Sequence, residues 1–366
     1  MEMKRIFTGM AAALLAAILF TPCTAGAVSA QQAIVMDGQT GQVLFEKNPD
    51  RQSLIASTTK IMTALIVCEQ CNVLDRMEIP KEAVGIEGSS MYLKEGEVLT
   101  LQELLYGLML QSGNDAAVAL AIYCGGTVSD FSELMNDKAH RLGMENTHFV
   151  NPHGLDAPDH YSTARDLAIL ASYAMNNPVF ARTVSAKTVT IGQRYLRNHN
   201  KLLWQVEGAD GVKTGFTKAA GRILVSSAVR QGRRLIAVTI NAPDDWNDHK
   251  KLLEQGFSEY TPQMLLREGD VLGTVDVASG DAGAVSVLAA EEFVYALRKG
   301  ETWHIQLPPP GFVYAPVVRG QCAGYAHIFV EGKAVGKIPL TYADTVEMEN
   351  VPVLPWWKRL LNGGQS

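Results

Sequence analysis

The chain has 366 residues, of which 47% are hydrophobic and 19% charged, a globular composition that excludes a natively disordered protein. Thirty-two Lys and Arg face 38 Asp and Glu, giving a formal net charge of -6. No basic run stands out, so a nucleic-acid partner is not expected.

Residues 1–30 read as a secretory signal peptide. Lys4 and Arg5 form a positive start, and an apolar run extends from Met10 to Phe20. Val28-Ser29-Ala30 supplies small residues for cleavage, with Ala25-Gly26-Ala27 as the alternative. The apolar run is too short to span a bilayer, which needs roughly 20 residues. An exported protein is therefore expected.

Short strands at 33–36 and 42–45, joined by the turn Asp37-Gly38-Gln39-Thr40-Gly41, predict a hairpin. From Ser57 the apolar positions Ile61, Met62, Leu65 and Ile66 fall at helical spacing. Thr100 with Glu103 forms a capping box for a helix over 101–110. Ser112-Gly113-Asn114 breaks the pattern, and helix resumes over 116–123 and again over 129–142. Thr163 and Asp166 cap another helix, which Pro178 is expected to close. Strands follow at 188–191, 211–216, 223–229 and 235–241, then a helix over 245–260. Strands, many helices, strands and a last helix predict an α/β (α+β) domain over 31–260, with helices packed on an antiparallel sheet. Beyond Thr261-Pro262, short strands punctuated by Gly and Pro predict a small all-β domain over 261–346. Residues 347–366 form a tail in which Trp356, Trp357, Lys358 and Arg359 make an amphipathic stretch suited to peripheral contact with a membrane surface.

Cys68 and Cys71 form C-x-x-C at the far end of a helix, the wrong end for a redox thiolate, and no second ligand pair is spaced for zinc. The pair is expected to be buried or disulfide-bonded; Cys124 and Cys322 are the other cysteines beyond residue 30. No metal and no cofactor are expected.

Three motifs carry the chemistry. Ser57-Thr58-Thr59-Lys60 is S-x-x-K, Ser112-Gly113-Asn114 is S-x-N and Lys213-Thr214-Gly215 is K-T-G. A serine needs a base before it can act as a nucleophile, and one helical turn brings Lys60 within reach of Ser57. Lys60 must be neutral to take a proton, which burial and a second cation at Lys213 would favour. Ser112 can relay a proton, and Asn114 can orient Lys60. A strand after Lys213 offers its edge to an extended peptide, and the N–H groups of Ser57 and Phe216 would form an oxyanion hole.

The three motifs resemble the S-x-x-K, S-D-N and K-T-G signature of penicillin-binding proteins and class A β-lactamases, with S-G-N here in place of the S-D-N of the lactamases, a point for a carboxypeptidase. With the phrases at 55–64, 108–117, 151–155 and 210–217, the sequence resembles the D-alanyl-D-alanine carboxypeptidases among the low-molecular-mass penicillin-binding proteins, over nearly its whole length. The resemblance implies a transpeptidase-like fold. It also implies removal of the terminal D-alanine from peptidoglycan stem peptides through an acyl-enzyme on Ser57, and covalent inhibition by β-lactam antibiotics. Ser57, Lys60, Ser112 and Asn114 then map to the catalytic set. Lys213, Thr214, Gly215, Phe216 and Thr217 map to the substrate-facing strand, with Thr217 near the terminal carboxylate. The family often carries a basic residue in the segment 198–203; His199 stands there and joins the substrate-binding set. A β-lactamase or D,D-endopeptidase on the same scaffold, and a non-catalytic muropeptide-binding protein, are the alternatives. His153 reads as a structural loop residue, Arg165 with Asp166 as a helix-start ion pair, and Glu133 as a solvated helix residue.

Overall fold

The computed structural model describes residues 28–309 and 311–349. Residues 1–27 of the expected signal peptide and residues 350–366 of the expected tail lie outside the described residues.

The first part of the chain builds one five-stranded sheet. Its strands are β1 (Gln32–Asp37), β2 (Val43–Lys47), β7 (Ala209–Thr217), β8 (Gly221–Arg230) and β9 (Arg233–Ile240), in the order β2-β1-β9-β8-β7. All four pairings are antiparallel, as expected. Minor pairs are formed by β3 (Arg76–Glu78) with β4 (Val98–Thr100) and by β5 (Thr188–Ile191) with β6 (Arg194–Arg197). The alternation of side chains along a strand separates two apolar layers. Ile34, Met36, Ile236 and Val238 face a helical cluster, whereas Val35, Leu235 and Ala237 face the other way.

The helices are α1 (Lys60–Gln70), α2 (Leu101–Leu110), α3 (Asn114–Gly125), α4 (Val128–Arg141), α5 (Ala164–Ala174), α6 (Pro178–Ser185), α7 (Leu202–Gln205) and α8 (Asp245–Glu259). Every residue of α1 from Lys60 to Val67 is buried, so α1 is the central helix of the cluster. α8 covers the opposite face through Leu252 and Leu253. The expected capping box at Thr100 and Glu103 is present in both directions.

Pro178 does not close α5. Met175 caps that helix, Asn177 caps the next, and Pro178 takes its first turn, where a missing N–H costs nothing. Arg165 does not pair with Asp166. It reaches Asp50 and Glu46, while Asp166 accepts hydrogen bonds from Asn146 N–H and the Thr147 hydroxyl. Cys71 is bonded to Cys124, tying the end of α1 to α3. Cys68 is free, and burial pushes its thiol up to about 12, which keeps it protonated and inert. Cys322 is free and exposed.

The last part of the chain is a separate β domain. Its strands are β10 (Tyr260–Leu266), β11 (Val271–Ala278), β12 (Ala284–Ala289), β13 (Phe293–Arg298), β14 (Trp303–Gln306), β15 (Phe312–Tyr314), β16 (Cys322–Val330) and β17 (Lys333–Tyr342). Six of them form one sheet, in the order β14-β16-β17-β12-β11-β15, and β10 pairs with β13. The Gln42 side chain bonds both backbone groups of Ala296, linking the turn before β2 to β13.

Candidate active site

The candidate nucleophile, Ser57, is positioned by a short turn rather than by the helix proper. Ser57 sits in a 3-10 turn, Ala56–Thr59, which runs directly into α1. The Ile55 carbonyl accepts from the Thr58 N–H at 3.2 Å and the Thr58 hydroxyl at 2.6 Å, fixing that turn. One turn later Lys60 Nζ lies 3.0 Å from Ser57 Oγ.

Lys60 is wholly buried, and its other two contacts are carbonyl oxygens. It donates to Asn114 Oδ1 at 2.7 Å and to the His153 backbone oxygen at 2.6 Å. The Asn114 amide is oriented by its own donation to the Glu87 carbonyl. Both carbonyls can only accept, whereas the Ser57 hydroxyl can donate. A neutral amine has two N–H groups and one lone pair, which matches two carbonyls and one hydroxyl. Burial first, then the Lys213 charge, holds Lys60 well below the usual lysine range, with Asp115 opposing. Lys213 is buried too, which lowers it to about 7, and it donates to the Thr214 backbone oxygen at 2.9 Å.

Ser112 stands between α2 and α3 in the left-handed region, at φ 62°, where a non-glycine residue is strained. Its hydroxyl is buried with no protein partner, and the residue lines the same cleft as Ser57. Next to this break, Asp115 accepts from the Met91 and Leu93 N–H groups and from the Ser90 hydroxyl, pinning that loop to α3.

The far wall is β7, the free edge of the sheet. Gly215 lets it close on the nucleophile turn: a Cβ there would lie 3.2 Å from the Ile55 oxygen and 3.3 Å from Thr58 N. Ser57, Ser112, His199, Thr214, Gly215 and Phe216 thus share one cleft of about 290 Å³, with Lys60, Asn114 and Lys213 packed behind it. His199 is exposed on that cleft; partial desolvation, then the Lys213 charge, lowers its pKa and favours the uncharged ring. Thr217 is not part of the lining: its hydroxyl donates to Asp156 and accepts from the Ala220 N–H.

Sequence reasoning missed several contributors. The His153 carbonyl is one, and its ring is held by burial at about 4, hence neutral. Ser89, Arg222, Asp245 and Trp246 also line the cleft. A hydrophilic Ser or an Arg at the start of a strand carries no signal of where the fold will place it.

Residues 20–244 match the family described as D-alanyl-D-alanine carboxypeptidase. The chain belongs to this family of serine peptidases. Residues 260–348 match a second family, described as penicillin-binding protein 5, C-terminal domain. The chain is 34% identical to the D-alanyl-D-alanine carboxypeptidase DacC of Escherichia coli, over 94% of this chain and 93% of that protein. It is 30% identical to DacF of Bacillus subtilis, over 91% and 89%. Penicillin binding protein 5 of Haemophilus influenzae has a similar structure, with a TM-score of 0.78, 31% identity and coverage of 88% and 98%. As a member of this family the protein is a serine-type D-Ala-D-Ala carboxypeptidase, a hydrolase acting in cell-wall metabolism.

The His153 carbonyl reaches Lys60 because the next residue, Gly154, adopts φ 85° and lies against the nucleophile turn. A Cβ on Gly154 would lie 1.9 Å from the Ala56 oxygen. Gly154→Ala should therefore displace both segments, lower stability by about 2 kcal/mol or more and abolish most release of D-alanine. Calorimetry and a peptide-shortening assay measure both effects; unchanged activity would show that this contact does not position Lys60.

Proposed function

We propose that the protein removes the terminal D-alanine of peptidoglycan stem peptides through an acyl-enzyme on Ser57. The observation that carries this reading is the set of three oxygens around Lys60 Nζ. Neutral Lys60 takes the Ser57 proton as Oγ adds to the carbonyl of the penultimate D-alanine. The N–H groups of Ser57 and Phe216 receive the oxyanion. The C–N bond then breaks, and the proton held by Lys60 passes through the Ser112 hydroxyl to the departing amine of the last D-alanine, which returns Lys60 to its neutral form. Water adds to the ester, restores the Ser57 hydroxyl and releases the shortened peptide. The bound peptide lies along the free edge of β7, with Lys213, Thr214 and Gly215 beside it and Asn114 holding Lys60 in place.

A β-lactam offers the same carbonyl with a leaving nitrogen tethered to the acyl group, so it acylates Ser57 and stays attached. Rapid release needs a base for the attacking water, and class A β-lactamases use an added glutamate for this. Glu133 is exposed on α4, and among the described residues Asp245, the one carboxylate lining the cleft, is tied to Arg222. These features favour the carboxypeptidase over the lactamase. Intact-mass spectrometry after exposure to benzylpenicillin should show a single long-lived adduct that maps to Ser57 and is absent in Ser57→Ala. An adduct elsewhere, or none with fast drug turnover, would overturn the assignment.

Export fits this substrate, and the contacts of residues 28–30 bear on where a leader would be cut. Ser29 N–H and Oγ and Ala30 N–H all donate to buried Asp248, and Lys47 Nζ donates to the carbonyls of Val28 and Ala30. Cleavage after Ala30 would remove the three hydrogen bonds to Asp248 and both carbonyl partners of Lys47 that tie this segment down. Cleavage after Ala27 keeps them. N-terminal sequencing of the exported protein should begin at Val28; a start at Gln31 would contradict this.

A further inference from the structure

A peptide ending in D-Ala-D-Ala presents a free carboxylate, so the cleft needs a cation to hold it. Lys60 and Lys213 are buried and engaged behind the wall. His199 favours its neutral form, and Thr217 faces the Asp156 carboxylate. Among the described residues lining the cleft, Arg222 alone carries a permanent positive charge.

Arg222 is the second residue of β8, directly across from Phe216 in the register of β7 and β8. Paired residues project from the same face, so its side chain rises beside that of Phe216 at the cleft. The side chain is 42% exposed, while Asp245 at its back is 3% exposed. Nε and Nη2 both donate to the same Asp245 oxygen, at 3.1 and 2.7 Å. Trp246 backs the guanidinium, 5.7 Å from its ring centre. Two of five N–H groups are thus spent on the support, which leaves a preoriented pair for a second carboxylate.

We propose that Arg222, held by Asp245 and Trp246, is the residue that recognises the C-terminal carboxylate of the substrate. The proposal rests on the acyl-enzyme reading of the cleft above. It assigns specificity for a free terminus, the mark of a carboxypeptidase, to a side chain outside the three sequence motifs. Asp245 acts as a positioning residue: it fixes the guanidinium without itself touching the substrate.

The test compares one peptide ending in D-Ala-D-Ala with the same peptide as its C-terminal carboxamide. Both yield the same shortened product, read by mass spectrometry. In the wild type the acid should be turned over far faster than the amide. Arg222→Gln should lower kcat/KM for the acid on the order of ten- to a hundredfold, the loss expected for a charged hydrogen bond, and leave the amide nearly unchanged. Arg222→Lys, which keeps the charge without the fork, should restore part of the preference. Equal losses on acid and amide would overturn the proposal and make Arg222 a structural residue, as would an unchanged ratio. Penicillin labelling of Ser57 in the same samples reports on the acyl-enzyme reading separately, so a failure there is distinguishable from a failure here.

Discussion

The site depends on a lysine amine held out of water between three oxygens. An ammonium in that position would give up hydration for two carbonyls and a hydroxyl, and it would be repelled by the charge of Lys213. A neutral amine avoids that cost and points its lone pair at the nucleophile. Each unit by which a pKa is lowered corresponds to about 1.4 kcal/mol of bias toward the neutral form. On the proposed mechanism, the fold supplies the base by burial. No histidine is required, and His153 contributes its backbone oxygen rather than its ring.

Holding that geometry takes rigid elements from four parts of the chain. α1 brings Lys60 on a helix buried on all sides, the break before α3 brings Ser112 and Asn114, the 151–155 loop brings a carbonyl, and β7 brings Lys213. Glycines permit the two closest approaches, at Gly154 and Gly215, where any side chain would meet backbone atoms of the nucleophile turn. The Cys71–Cys124 bond ties α1 to α3 at the end remote from the chemistry. Both lysines are thereby fixed to secondary structure, and the cleft in front of them runs beside β7, the edge strand of the sheet.

Much of this was legible in the sequence because it is local. S-x-x-K spans one turn, so its geometry follows once a helix is assigned, and Ser112-Gly113-Asn114 marks its own helix break. The antiparallel sheet followed from the order of strands and helices. What could not be read depends on contacts distant in sequence. A backbone carbonyl has no residue signature, so the partner of Lys60 at His153 was hidden. Arg222 looks like an ordinary strand residue until β8 is paired with β7 and α8 brings Asp245 behind it. Pro178 was misplaced because a proline that stops one helix and one that starts the next read alike until the Asn177 cap is seen. In the β domain, where only short strands were expected, β16 and β17 run to 9 and 10 residues, since their pairing continues across register shifts and glycines.

The protonation state of Lys60 decides the account most directly. Protein isotope-labelled at lysine Cε, with the Lys60 resonance assigned from Lys60→Arg, can be titrated by NMR. The account predicts a neutral amine at neutral pH, protonating only at a pH well below that of an exposed lysine. A Lys60 signal that stays in the ammonium form up to the ordinary lysine range would contradict it and leave Ser57 without its base.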